Sequence, residues 1–273
     1  MSAMRKYPLL SYFVLAFAIT WVLVSPLVLQ GLGLIGGVLP GWHALGALGP
    51  ISSALVVTAA VGGRPALREF AGRILRWRVG TWWFLVSAFS PFLLFALSAL
   101  IVRLLGGPWP DFGRLGLEEL LGFSFLAGLL YGIGEEAGWR GFALPRLQSG
   151  HSALVATLIL TVFWALWHTP FFFYRFEFGA VQVVGFFMGL LAGAIWLTCL
   201  YNSTEGSILM VAAWHTTWNL VNQVAIVVSV EILSAMSVMV MILAVAVVVA
   251  FGPAALSPRR KQEMPPLTPP RVR

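Results

Sequence analysis

The chain has 273 residues, of which 59% are hydrophobic and only 10% are charged, and its formal net charge is +7. A water-soluble domain carries about a quarter charged residues, so this composition excludes a soluble globule and indicates a protein solvated by a lipid bilayer. The basic residues stand at the ends of apolar runs, a pattern of membrane orientation that argues against a nucleic-acid partner. The single cysteine, Cys199, excludes an internal disulfide and a cysteine-rich metal site.

Apolar runs of about 20 residues predict an all-α fold, a polytopic membrane bundle of about eight transmembrane helices. The predicted spans are 9–30, 43–62, 82–105, 119–139, 152–174, 180–201, 206–229 and 232–252. The first run is too long for the apolar part of a cleaved signal peptide, so we predict an uncleaved first span. We expect residues 1–252 to form one membrane domain. Residues 253–273 are rich in proline and basic residues, which predicts a disordered cytoplasmic tail.

The distribution of arginine and lysine predicts the orientation of the bundle. With eight spans, most basic residues fall on one side of the membrane, and only Arg103, Arg114 and Arg175 fall on the other. The positive-inside rule then places both termini in the cytoplasm. The excess of arginine over lysine is typical of a GC-rich bacterial genome, so we expect a bacterial plasma membrane. The segment from Arg64 to Val79 has apolar residues at helical spacing among arginines, which predicts a cytoplasmic interfacial helix that contacts membrane lipid.

Ionisable residues inside a membrane span are costly and indicate function, and the fourth predicted span carries three of them. Its sequence GIGEEAGWRGFALPRL contains Glu135, Glu136 and Arg140. Glu136 and Arg140 are four residues apart and share a helix face, so we expect them to form an ion pair. Glu135 is rotated by about 100° from Glu136 and is left without that cation. A purely structural Glu–Arg pair between helices is the alternative interpretation for Glu136 and Arg140.

Two further spans carry buried polar residues. His168 lies deep in the apolar sequence FWALWHTP of the fifth span, where a lone histidine can also serve as a helix–helix hydrogen bond. His215 and Asn219 lie four residues apart on one face of the seventh span, and we expect the neighbouring Trp214 and Trp218 to pack. Together with Glu135, these residues predict one polar site within the bilayer.

At these residues the chain resembles the CAAX protease and bacteriocin-processing family, the Abi or type II CAAX prenyl endopeptidase group. The motif EExxxR is matched by Glu135, Glu136 and Arg140, the motif FxxxH ends at His168, and the motif HxxxN is matched by His215 and Asn219. The resemblance covers roughly residues 115–225. The chain departs from the second motif, because the aromatic residue four positions before His168 is Trp164 and not phenylalanine.

The resemblance implies an intramembrane endopeptidase that acts near the C-terminus of a membrane-associated or lipidated protein or peptide. It implies that Glu135 and His168 activate a water molecule and that His215 and Asn219 donate hydrogen bonds to the oxyanion. Amide hydrolysis does need a base for water and preorganised donors for the developing charge.

Three alternatives remain open at this stage. Glu135, His168 and His215 could bind zinc with water as the fourth ligand. The chain has no HExxH helix, and Asn219 suits an oxyanion hole better, so we favour a mechanism without a metal cofactor. A bacteriocin-immunity or binding protein on the same scaffold is the second alternative. A transporter is the third, since buried Glu and His residues also mark proton pathways.

Overall fold

The computed structural model describes residues 2–39, 41–116 and 125–264, and in this part of the chain every regular element is helical. The α-helices are α1 (Ser2–Lys6), α2 (Pro8–Gly31), α3 (Leu48–Ile74), α4 (Thr81–Leu104), α5 (Phe125–Gly138), α6 (Leu144–Gln148), α7 (Ala153–Trp167), α8 (Ala180–Ser203), α9 (Ile208–Val228) and α10 (Val230–Ala255). Short 3₁₀ helices span Trp42–Ala47, Phe112–Arg114 and Thr169–Phe173, and a π-helical turn spans Trp139–Ala143. The predicted all-α fold is confirmed.

Six helical segments in the described residues are long and apolar enough to cross a membrane. They are Pro8–Gly31, Trp42–Ile74, Thr81–Leu104, Ala153–Phe173, Ala180–Ser203 and Val230–Ala255, and they correspond to six of the predicted spans. The fourth predicted span begins within residues 117–124, outside the described residues. The seventh predicted span corresponds to α9, which is not among these six apolar segments because its polar residues lower its hydropathy. A polytopic helical bundle is therefore confirmed, while the count of eight spans stays a prediction.

The polarity of the bundle is the reverse of that of a soluble protein. Large apolar side chains point outward from the spans, as Trp82, Leu93 and Val249 show with exposed fractions of 70%, 59% and 81%. Glu136 and Arg140, by contrast, are completely buried. Such an apolar surface is unfavourable in water and well solvated by lipid tails. The chain is an integral membrane protein.

Helix α5 and the π-helical turn that follows it lie at the centre of the bundle. Helix α5 packs against α3 and α9, while α10 packs against α4 and α8. Trp139 and Phe142 in the π-helical turn are fully buried, and the ring of Tyr12 from α2 stacks on Phe142 with centroids 4.8 Å apart. The segment that carries Glu135, Glu136 and Arg140 is therefore buried inside the bundle.

Helix α3 breaks at Gly63, whose φ of 62° favours glycine, and then continues from Arg64 to Ile74. A helix is thus present where the sequence predicts the interfacial helix, but this helix ends at Ile74 and not at Val79. Arg73 on this segment is buried and donates to the carbonyl of Gly141 (2.7 Å) and the hydroxyl of Tyr201 (3.0 Å). One arginine therefore anchors the segment to the π-helical turn.

Residues 256–264, part of the segment predicted to be a disordered tail, lie against the ends of α6 and α8. Asn202 at the end of α8 accepts from the backbone nitrogen of Gln262 (3.0 Å) and donates to the carbonyl of Ala255 (2.8 Å). The backbone nitrogen of Met264 donates to the carbonyl of Pro145 (3.1 Å). The buried amide of Asn202 supplies hydrogen-bond partners to this chain segment, which composition alone does not reveal. Residues 265–273 lie outside the described residues.

Candidate active site

Three glycines allow helix α5 to approach its neighbours closely. A Cβ atom at Gly132 would lie 2.1 Å from Oγ1 of Thr216 on α9, and one at Gly134 would lie 2.3 Å from the carbonyl of Ala47. Gly138 approaches α2 and α3 with similarly little room, whereas a Cβ at Gly128 would be in ordinary van der Waals contact with α9. Gly128 and Gly132, like Gly134 and Gly138, are four residues apart, the spacing of small residues at closely packed membrane helices. This spacing is a signal in the sequence that our prediction of the site did not use.

Glu136 forms the charged centre of the site. Its Oε1 accepts from Nη1 of Arg140 at 2.9 Å and from Nδ1 of His215 at 2.8 Å. The ion pair predicted from the spacing of Glu136 and Arg140 is therefore present, and it joins α5 to α9. Both side chains are fully buried, where an ion pair needs good geometry and further hydrogen bonds to offset desolvation.

Glu135 has a different environment from that of its neighbour. Its Oε2 accepts from the indole nitrogen of Trp164 on α7 at 2.5 Å and from that of Trp139 at 3.2 Å. Among the described residues Glu135 forms no ion pair with lysine, arginine or histidine, although its exposed fraction is only 3%. The two adjacent carboxylates thus differ in their partners: Glu136 is paired with the cation Arg140, whereas Glu135 accepts hydrogen bonds from neutral donors. The sequence argument missed both tryptophans as hydrogen-bond donors.

His168 lies where helix α7 ends. Pro170 lacks a backbone N–H and cannot continue the helix, so the chain passes into the 3₁₀ helix at Thr169. Nδ1 of His168 donates to the carbonyl of Trp164 at 2.7 Å. Because a carbonyl oxygen only accepts, this bond assigns a proton to Nδ1 and leaves Nε2 for another partner. Aromatic rings of Trp167, Phe171 and Phe186 surround the imidazole.

His215 and Asn219 share one face of α9, as predicted. The bond from Nδ1 of His215 to Glu136 assigns a proton to Nδ1 and leaves Nε2 for another partner. Asn219 is half-buried and lies beside Gly128. Trp214 and Trp218 stack with ring centroids 5.2 Å apart, which confirms the expectation that they pack.

Trp164 connects the three motifs in space. Its ring centroid lies 5.9 Å from that of His168 and 6.0 Å from that of His215, and its indole nitrogen contacts Glu135. The guanidinium of Arg140 lies over the same ring, 4.4 Å from its centroid. The six candidate residues are therefore grouped in the interior of the bundle, with five of them buried and Asn219 at the margin.

The alternative zinc site can be compared with these contacts. Zinc needs three or four ligands at about 2.0–2.3 Å, whereas no group of three His, Cys, Asp or Glu side chains within residues 2–39, 41–116 and 125–264 is arranged to hold a metal ion. One oxygen of Glu135 is bound by two indoles, and Nδ1 of His215 is bound by Glu136. The side chains as they lie do not fit a shared zinc ion.

Comparison with known proteins finds similarity in the central part of the chain. The family described as type II CAAX prenyl endopeptidase Rce1-like matches residues 117–221, which include all six candidate residues. A curated relative, CAAX prenyl protease 2 of Methanococcus maripaludis, is 32% identical over 139 residues, which are 45% of this chain and 49% of the relative. The chain thus matches about half the length of that relative. This segment of the chain is thus similar to the type II CAAX prenyl endopeptidase family.

Proposed function

We propose that the chain is an intramembrane endopeptidase in which Glu135 is the general base. The observation that supports this best is the contrast between the two adjacent glutamates. Glu136 accepts from Arg140 and His215, whereas among the described residues Glu135 accepts only from neutral indole groups, through one oxygen. A base must accept a proton during the reaction, and one oxygen of Glu135 carries no hydrogen bond within the part of the chain that the structure describes, whereas Glu136 is already held by Arg140 and His215.

In the proposed reaction, a water molecule held by Glu135 and His168 attacks the carbonyl carbon of the scissile peptide. A new C–O bond forms, the water proton passes to Glu135, and the π electrons of the carbonyl move onto its oxygen. His215 in its imidazolium form, with Nδ1 donating to Glu136, and the amide of Asn219 donate hydrogen bonds to this oxyanion, the former from Nε2. When the tetrahedral intermediate collapses, the C–N bond breaks and Glu135 returns the proton to the leaving amine. The carboxylate is then restored.

We propose that this reaction proceeds without a metal ion. Two arguments support this choice: among the described residues no three candidate ligands are arranged around one ion, and Asn219 accompanies His215 as a second hydrogen-bond donor. Donors that are already oriented stabilise developing charge strongly in a medium of low dielectric constant. The substrate class follows from the curated relative, named a CAAX prenyl protease. We therefore expect a membrane-associated protein or peptide, including lipidated ones, cut near its C-terminus.

The orientation belongs to the same proposal. Both termini and the Arg64–Val79 segment face the cytoplasm in the proposed arrangement, in the plasma membrane of a bacterium. The site would then be entered from the bilayer or from the cytoplasmic side, where lipid-modified C-termini lie. Membrane lipid is the surrounding partner, and no nucleic acid is involved.

Peptide cleavage by the purified protein tests the proposed activity. Protein in lipid nanodiscs is incubated with lipidated and unlipidated membrane peptides, and mass spectrometry identifies the cut bond. We expect cleavage by the wild type and by Glu177→Gln, an exposed control, and none by Glu135→Gln. Retained cleavage in Glu135→Gln would reject the assigned base. Binding without cleavage by wild-type protein would instead favour an immunity or binding protein.

A further inference from the structure

Trp164 is the residue at which this chain departs from the FxxxH motif, and it contacts Glu135, Arg140, His168 and His215. Its indole nitrogen donates to Oε2 of Glu135 at 2.5 Å. Its carbonyl accepts from His168, and its ring faces Arg140. A phenylalanine could supply the carbonyl and the ring face, but it has no N–H. The indole N–H is therefore the chemical difference that the departure introduces.

We infer that Trp164 is a positioning residue for Glu135: its indole N–H holds Oε2 and so directs Oε1 toward the water to be activated. This inference rests on the proposed function and deepens it. The bond crosses from α7 to α5, so it fixes the carboxylate relative to His168, which lies one helical turn after Trp164 on α7. Both groups that would activate the water are then oriented by one residue.

Trp139 does not duplicate this role. It also donates to Oε2 of Glu135, but at 3.2 Å and from the next turn of the same helical segment. A donor four residues away on one chain segment moves together with Glu135 and cannot fix it relative to α7. The cross-helix bond from Trp164 is the one that sets the distance between the base and His168.

The expected effect of losing the Trp164 N–H follows from this geometry. Glu135 retains the bond from Trp139 and remains buried, so the protein should fold and bind peptide. The carboxylate then samples orientations that do not lead to reaction, and a misplaced catalytic group lowers turnover. A hydrogen bond to a charged group is strong enough to account for about a tenfold loss in kcat. KM should change little.

The decisive variant replaces Trp164 by 3-benzothienylalanine, in which sulfur stands in place of the indole N–H and the bicyclic ring keeps its size. Trp164→Phe removes the same N–H and restores the residue of the FxxxH motif, but it also shortens the side chain. The matched control is the benzothienylalanine substitution at Trp214, whose indole nitrogen donates to Oγ of Ser90 at 2.9 Å and not to a site residue. All proteins are assayed beside wild type and Glu135→Gln, with kcat, KM and melting temperature measured.

We expect the Trp164 isostere to lose about tenfold in kcat, with KM and melting temperature close to those of the Trp214 control. A wild-type kcat in the Trp164 isostere would overturn the inference, and so would a loss shared equally by the Trp214 control. Neither outcome touches the proposed function as long as wild type cleaves and Glu135→Gln does not. A second readout needs no activity: the ¹⁵N-indole NMR signal of Trp164 should move upfield in Glu135→Ala, while that of Trp214 stays in place. An unmoved Trp164 signal would show that the hydrogen bond is absent.

Discussion

The carboxylate of Glu136 on α5 and the imidazole of His215 on α9 form a buried hydrogen bond of 2.8 Å. This bond joins the first and third motifs of the chain and fixes the orientation of the imidazole. In the proposed mechanism, Glu136 acts on the substrate through His215. The two glutamates should consequently differ in what their replacement does to stability.

Replacing each glutamate by glutamine should separate a reacting residue from a structural one. Glu135→Gln keeps an acceptor oxygen for the two indoles, so the melting temperature should stay near that of wild type while turnover is lost. Glu136→Gln leaves the guanidinium of Arg140 buried without its counter-charge and should cost about 3–5 kcal/mol of stability. Thermal unfolding in a mild detergent measures both. Equal melting temperatures for the two variants would contradict this division of roles.

The Arg140 side of the ion pair offers a second test. Arg140→Met fills a similar volume but leaves Glu136 charged and buried, so we expect a loss of about 3–5 kcal/mol in the free energy of unfolding. Adding Glu136→Leu removes the unpaired charge, and the double variant should recover much of that stability. It should remain inactive, because His215 loses the acceptor for Nδ1. A double variant less stable than Arg140→Met alone would show that the pair is not the cause.

The sequence predicts relationships within one helix far better than relationships between helices. The pairing of Glu136 with Arg140 and the shared face of His215 and Asn219 follow from 3.6 residues per turn. The bond between Trp164 and Glu135 depends on how α7 is rotated about its axis relative to α5, and no local spacing encodes that rotation. The position of residues 256–264 likewise depends on the buried amides of Gln148 and Asn202, which lie far away in sequence. The glycine pairs of α5 were available as a signal and identify which faces approach closely.

Cysteine labelling tests the predicted orientation. The native Cys199 is buried, and Cys199→Ser removes the remaining background. On that background, Arg260→Cys should react with a membrane-impermeant maleimide only in inside-out vesicles, because the positive-inside rule places the tail in the cytoplasm. Arg114→Cys, on the opposite side of the eight-span arrangement, should react in intact spheroplasts. Labelling of position 260 from the periplasm would reject the eight-span topology.

Asn202 should stabilise the docked tail. Its amide is fully buried and forms hydrogen bonds with Gln148, Gln262 and the carbonyl of Ala255. Asn202→Leu leaves these groups without partners, at about 1–3 kcal/mol for each group that stays buried. We expect a lower melting temperature and faster tryptic cleavage near Arg260.

Asn222→Leu is the matched control for the tail, since that amide is half-buried and donates only to the carbonyl of Trp218 among the described residues. The control should change tryptic cleavage of the tail very little. If Asn202→Leu leaves the tail as resistant as in wild type, its hydrogen bonds do not hold residues 256–264 in place.

Asn219 separates the metal-free mechanism from the zinc alternative. As an oxyanion donor it acts only where charge develops, and loss of one such donor typically lowers kcat by about 10²–10³ with little change in ground-state binding. Asn219→Ala should show this pattern of low kcat and nearly constant KM. The control Asn222→Ala lies three residues further along the same helix and should retain most of the wild-type rate.

Metal removal completes this test. Enzyme that has been treated with a strong chelator and dialysed should keep most of its rate on a membrane peptide, because the proposed steps use only Glu135, His168, His215 and Asn219. In the zinc alternative, the first three of these residues would hold the ion, activity would follow metal content, and Asn219 would contribute little. A rate that is lost on chelation and restored by zinc, together with near-normal turnover in Asn219→Ala, would identify a metalloprotease and reject the metal-free mechanism.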